Sequence, residues 1–195
     1  MANEVTTDAL KKIAAMYSGL LEWVKQPVDQ TSNARANIKV SAIMYEEEPK
    51  SSMYPELHGL IAEYLEEDGL SYTFRQDYQK INIKRVFDSK VVGKFECSRL
   101  GCTNRSWESN SIAIRIREYE GNQYNVKVYH QQCKRCNRYT RPEIEILSYV
   151  DRVSFRIKKW NGIDAKPIPI DVVHKRDHME RLCEGCKKGH CSKKK

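Results

Sequence analysis

Apolar positions recur along residues 8–25, DALKKIAAMYSGLLEWVK, at helical spacing. Leu10, Ile13, Ala14, Tyr17, Leu20, Leu21 and Val24 follow the i, i+3, i+4, i+7 rule. The pattern predicts a helix over 8–25, with Thr7 as N-cap and Asp8 in the first turn. A second helix is predicted over 55–67. Pro55 suits a first helical position, Leu57, Leu60, Ile61, Tyr64 and Leu65 share one face, and Gly69 would end it. Between the two, IKVSAIMY (38–45) reads as a short strand and EEEPKSS (46–52) as a polar linker. Both stripes are expected to pack on the rest of the chain, with partner docking as the alternative for 8–25.

Beyond residue 110 the period changes to two. Ile112, Ile114 and Ile116 alternate with Ala113, Arg115 and Arg117; Tyr124, Val126 and Val128 alternate with Asn125, Lys127 and Tyr129. This predicts a β-hairpin, 111–119 paired with 123–131, turning at Gly121-Asn122. One face is apolar. The other carries Arg115, Arg117, Lys127 and Tyr129. A further strand is expected in FECSRLGC, and Trp107 should pack over the sheet or beside a metal site. Residues 143–160 fit a helix through Ile146, Leu147, Val150, Val153, Ile157 and Trp160, although 153–157 also alternates. KPIPI (166–170) must be extended, because Pro167 and Pro169 lack backbone donors.

Composition alters this picture in two ways. Residues 1–92 carry 11 Lys and Arg against 14 Asp and Glu (net −3), whereas residues 93–195 carry 23 against 12 (net +11). All seven cysteines lie in the basic part. No apolar run approaches the roughly 18 residues that span a bilayer, and the N-terminal stretch lacks the pattern of a signal peptide. The expectation is an intracellular protein, cytoplasmic or nuclear, without a transmembrane segment. In a reducing compartment seven cysteines do not read as disulfides.

The cysteines stand as Cys97-x4-Cys102, Cys133-x2-Cys136, Cys183-x2-Cys186 and Cys191. A close pair presents two thiolates to one ion, and a distant pair completes the tetrahedron. Three close pairs point to zinc. Two tetrahedral sites need eight ligands, so one histidine must join seven thiols; spacing leaves His130, His174, His178 and His190 as candidates. A nucleophilic cysteine would need a base and an oxyanion site, a redox pair a βαβ setting, and catalytic zinc an open position with a nearby acid or base. None of these patterns is present, which excludes the obvious enzyme classes and implies no small-molecule substrate.

These stretches resemble the 3CxxC-type zinc-binding family, through GKFEC (93–97), Trp107-Glu108-Ser109, VYHQQCKRC (128–136), SYVDRVSFRIKKWNG (148–162) and LCEGCKKGHC (182–191). The likeness is greatest to fungal members, in which LHGLIAEYL (57–65) also has a counterpart. It implies two structural Zn2+ ions held by Cys97, Cys102, Cys133, Cys136, His178, Cys183, Cys186 and Cys191. The x4 spacing at Cys97-Cys102 departs from the family name. A sequential pairing is the simplest, and an interleaved one stays open. Related branches are the receptor-transporting proteins, which assist membrane receptors to the cell surface, and the zygote-arrest proteins, which bind RNA. Membrane anchoring is not expected to carry over, since the chain stops four residues after Cys191.

The expected fold is α+β: a helical N-terminal region followed by a zinc-stabilised, β-rich, zinc-ribbon-like domain with one helix. The segments are 1–52 (helical region and linker), 53–92 (helical leader packing on the zinc domain) and 93–195 (zinc domain with basic tail). The expected role is a non-enzymatic binding or adaptor module for a protein partner, in trafficking for example. RNA binding through Arg115, Arg117, Lys127, Tyr129 and the lysine tail is the alternative. Seven thiolates and two Zn2+ ions contribute −3, lowering the basic half from +11 to +8, so the charge argument for RNA weakens without vanishing.

Overall fold

A computed structural model of the chain describes residues 48–168 and 178–191. The helix expected over 8–25, its Thr7 cap and the run 38–45 lie outside the described residues.

A long antiparallel hairpin forms the centre. Strand β3 (Ile83–Glu96) pairs with β4 (Ser106–Tyr119), and β4 with β5 (Gln123–Tyr129). The β4–β5 turn uses Gly121 and Asn122, both at positive φ (74° and 53°). Glycine and asparagine tolerate that left-handed region best. The outer edge of β5 is closed at one end by β1 (Ser51–Ser52), antiparallel, and at the other by β2 (Thr73–Phe74), parallel. Two short strands, β6 (Gln131–Gln132) and β7 (Tyr139–Thr140), pair separately, and β8 (Pro142–Ile144) joins the free edge of β3. That junction requires Gly93, where a Cβ would stand 2.4 Å from the Glu143 carbonyl oxygen. Gly93, where charge and cysteine content change, is therefore inside a strand, so the 53–92 leader and the cysteine-bearing part share one sheet.

The apolar hairpin face is the core. Ile112, Ile114, Ile116, Tyr124, Val126 and Val128 are fully buried there against helix α1 (His58–Glu66) and helix α2 (Ile146–Trp160). A 3₁₀ turn at Pro55–Leu57 leads into α1. Ile61 and Leu65 supply its buried stripe, and Tyr149, Val153 and Ile157 that of α2. The helix reading of 143–160 thus stands from Ile146 on, with 143–144 in β8. Glu145 caps α2 by accepting a hydrogen bond from the Ser148 amide (2.7 Å).

Periodicity alone misses one device. Val91 pairs with Ile112 and Phe95 with Trp107, so β4 spends one residue more than β3 between those pairs. This β-bulge at Asn110–Ser111 changes which residues face the core. It turns Trp107 onto the apolar side, where its indole stacks on Phe95 (centroids 5.0 Å apart, planes at 8°).

Candidate metal centres

Each end of the cysteine-rich region makes a cluster. The first gathers Cys97, at the exit of β3, Cys102, and Cys133 and Cys136 after β6; the second gathers His178, Cys183, Cys186 and Cys191. Within each group the candidate ligand atoms lie within 4.8 Å of one another. Zn–S bonds of about 2.3 Å in a tetrahedron place sulfurs about 3.8 Å apart. The Cys97–Cys136 and Cys102–Cys133 sulfurs are 3.6 and 3.7 Å apart. His178 Nε2 lies 3.1 Å from Cys186 Sγ and 3.5 Å from Cys191 Sγ. Both donor sets fit one tetrahedral Zn2+ each, and the pairing is sequential.

The local backbone explains the spacing. In each Cys-x-x-Cys, the amides two and three residues on donate to the first sulfur: Arg135 and Cys136 to Cys133, Gly185 and Cys186 to Cys183. At the wider first knuckle the Arg99 amide serves Cys97, and Gly101 (φ 76°) makes the extra bend. Although burial opposes ionisation, those amides and Asn104, whose Nδ2–H donates to Cys133 Sγ (3.5 Å), hold Cys133 down to about 6. Burial and the neighbouring thiols push Cys97 up to about 12 and raise Cys186 further. Four adjoining thiols do not all ionise unaided; a divalent cation is what such a set accommodates.

The second cluster sits directly on the hairpin. Cys183, Cys186 and Cys191 are buried together with Ala113 and Tyr129. Gly185 fits face down, since a Cβ there would come 2.3 Å from the Ala113 Cβ. A knuckle bearing any other residue could not approach so closely.

This seating decides the histidines. His178 supplies the eighth ligand position. His190 instead bridges Asp88 (Nδ1 to Oδ2, 3.2 Å) and the Arg115 guanidinium (Nε2 to a terminal nitrogen, 2.7 Å), stacked on Tyr129. His130 is buried, bonded through Nε2 to Ser52 Oγ (2.7 Å), and burial pushes it down to about 4, so it is neutral. His174 lies outside the described residues.

The four residues read as a basic face are engaged in the fold. Arg117 and Tyr129 are buried, at 9% and 4% exposure, and Arg115 and Lys127 are half-buried. Tyr78 covers part of this face, with the Lys127 ammonium 4.8 Å and the Arg117 guanidinium 5.6 Å from its ring centroid. Arg115 also pairs with Asp88 (3.2 Å). Alternation showed which residues share that face but not that the second knuckle would land on it.

The exposed cations are elsewhere. Arg99, Arg105, Lys134, Arg135 and Arg138 all stand exposed around the first cluster. Arg138 pairs with Glu48; the other four have no ion-pair partner among the described residues. No acidic residue occurs in 97–105 or 133–138, so five cations surround a four-thiolate zinc centre of charge −2, leaving +3.

Two four-ligand clusters on a small β-sheet define a protein of the zinc-ribbon class with two structural metal sites. The model of the 3CxxC zinc-ribbon family, described as a zinc-binding domain, matches residues 90–189, about half of the chain, and the chain belongs to that family. Neither a curated protein nor a solved structure matches it. No helix among the described residues is long and apolar enough to cross a membrane.

Proposed function

We propose that this chain is a non-enzymatic RNA-binding module, acting inside the cell, in which zinc shapes the binding surface and does no chemistry. With four protein ligands each, the metal sites keep no open position for a substrate. The observation that carries the reading is the set of exposed cations Arg99, Arg105, Lys134 and Arg135 on the first zinc knuckles, without ion-pair partners among the described residues. Such a cluster meets phosphates without desolvating a paired charge. An apolar docking face for a protein partner has less support: among the described residues only Ile81, Val86, Leu100 and Met179 are exposed large apolar side chains.

The test is a gel-shift titration of single-stranded RNA against salt. Replacing the four knuckle cations by Gln should weaken binding at low salt and remove about 3 from the slope of log K against log salt, at about 0.7 per phosphate contact. Arg115→Gln should leave that slope unchanged. Absence of binding at low salt, or indifference to the four substitutions, would refute the proposal.

A further inference from the structure

The β4 bulge, the first knuckle and the segment entering the second cluster enclose a cavity of about 190 Å³. Its walls include Asn104, Trp107, Ser109 and Lys134, with Met179 and Leu182 closing the apolar side. His178, a ligand of the second cluster, and the carboxylate of Glu108 line it as well. Pockets for drug-sized ligands run about 300–1,000 Å³, so this one admits a single planar ring system.

We infer that this cavity receives one unpaired base of the RNA bound by the adjacent knuckle cations; the inference rests on the RNA reading above. Three features suit it to a base. The wall is held in place: Gln131 accepts from the Trp107 indole N–H (3.2 Å) and donates to Ser109 Oγ (3.0 Å), fixing the ring and the hydroxyl together. The polar groups have spare capacity of opposite kinds. Asn104 must present its NH2 to the acceptor-only thiolate of Cys133, which leaves Oδ1 as an acceptor. Ser109 Oγ already accepts from Gln131 and from the Ser111 amide (3.3 Å), which leaves its O–H as a donor. A donor and an acceptor beside an aromatic ring match a base edge and a base face. Lys134 lines the mouth, and Arg105 and Arg135 belong to the same knuckles, so the phosphates flanking an inserted base would meet cations.

The experiment measures fluorescence anisotropy of labelled RNA homopolymers (rA, rC, rG and rU) and of an abasic oligonucleotide of equal length, on the full zinc-loaded chain. At least one homopolymer should bind about tenfold more tightly than the abasic strand. Trp107→Leu should erase that difference and leave abasic binding unchanged. Met179→Trp, which fills the cavity from a half-exposed position without disturbing the core, should do the same. Zinc content is checked for both variants. Equal affinity for homopolymers and abasic strand, or a preference that survives Met179→Trp, overturns the base pocket while the RNA reading stands. Failure of every strand to bind overturns both.

Discussion

Cys183 forms an antiparallel β-bridge with Gln131, two residues ahead of Cys133. The strand that delivers a ligand to the first cluster therefore also holds the second. The seam is reinforced on both sides. The Glu184 amide donates to the His130 carbonyl (3.1 Å), Tyr139 donates to the Glu184 carboxylate (2.5 Å), and the Lys187 ammonium reaches Gln132 (2.6 Å). The two zinc sites share one piece of backbone and should form and break together.

Gly185→Ala drives a methyl into Ala113 and should destabilise the fold by about 1–3 kcal/mol, the usual cost of overpacking. Ala113→Gly in the same chain should recover part of the loss, because the clash is between those two Cβ positions. Thermal melts of the single and double variants check this.

His178→Ala and His190→Ala should separate cleanly. The first removes a ligand, and zinc per chain should fall. The second removes a side chain held by Asp88, Arg115 and Tyr129. It should retain both ions and lose about 1 kcal/mol of stability. Equal zinc loss in the two would contradict the ligand assignment.

Arg85 ties the far end of the sheet to α2. Its guanidinium donates to both Glu118 oxygens and to the Trp160 carbonyl, and Tyr72 donates to Glu118 as well (2.7 Å). Burial would raise the Glu118 carboxyl, but Arg85 and Tyr72 outweigh it and hold the group below the usual carboxylate range. This contribution is full above the unfolded value of about 4.3 and is lost as pH falls through the lower folded value. Arg85→Met leaves a buried unpaired carboxylate and should cost about 3 kcal/mol at neutral pH. The penalty should shrink as acid protonates Glu118. Denaturant melts of both proteins over pH give the difference.

Much of this was legible in the sequence because it is local. Helix 55–67, the hairpin with its Gly121-Asn122 turn and the close cysteine pairs each follow from spacing within a few residues. The eighth ligand needed the family likeness, since four histidines had comparable spacing. What stayed hidden depends on tertiary contact. Nothing local to Arg117 says that Tyr78 covers it, and nothing local to Tyr129 says that a knuckle some 50 residues later does, although the glycine within Cys183-x-x-Cys186 and the alanine at 113 mark where that knuckle lands. The bulge at Asn110–Ser111 defeats simple alternation by one residue, although Trp107 packs over the sheet as expected.

The central claim is that two zinc ions hold this domain together as one unit. Native mass spectrometry during a chelator titration, read beside hydrogen exchange, tests it most directly. The account predicts two zinc ions per chain, both leaving over the same chelator range, with loss of exchange protection in the hairpin and in residues 178–191. One ion or none, or protection unchanged after both have left, would contradict it.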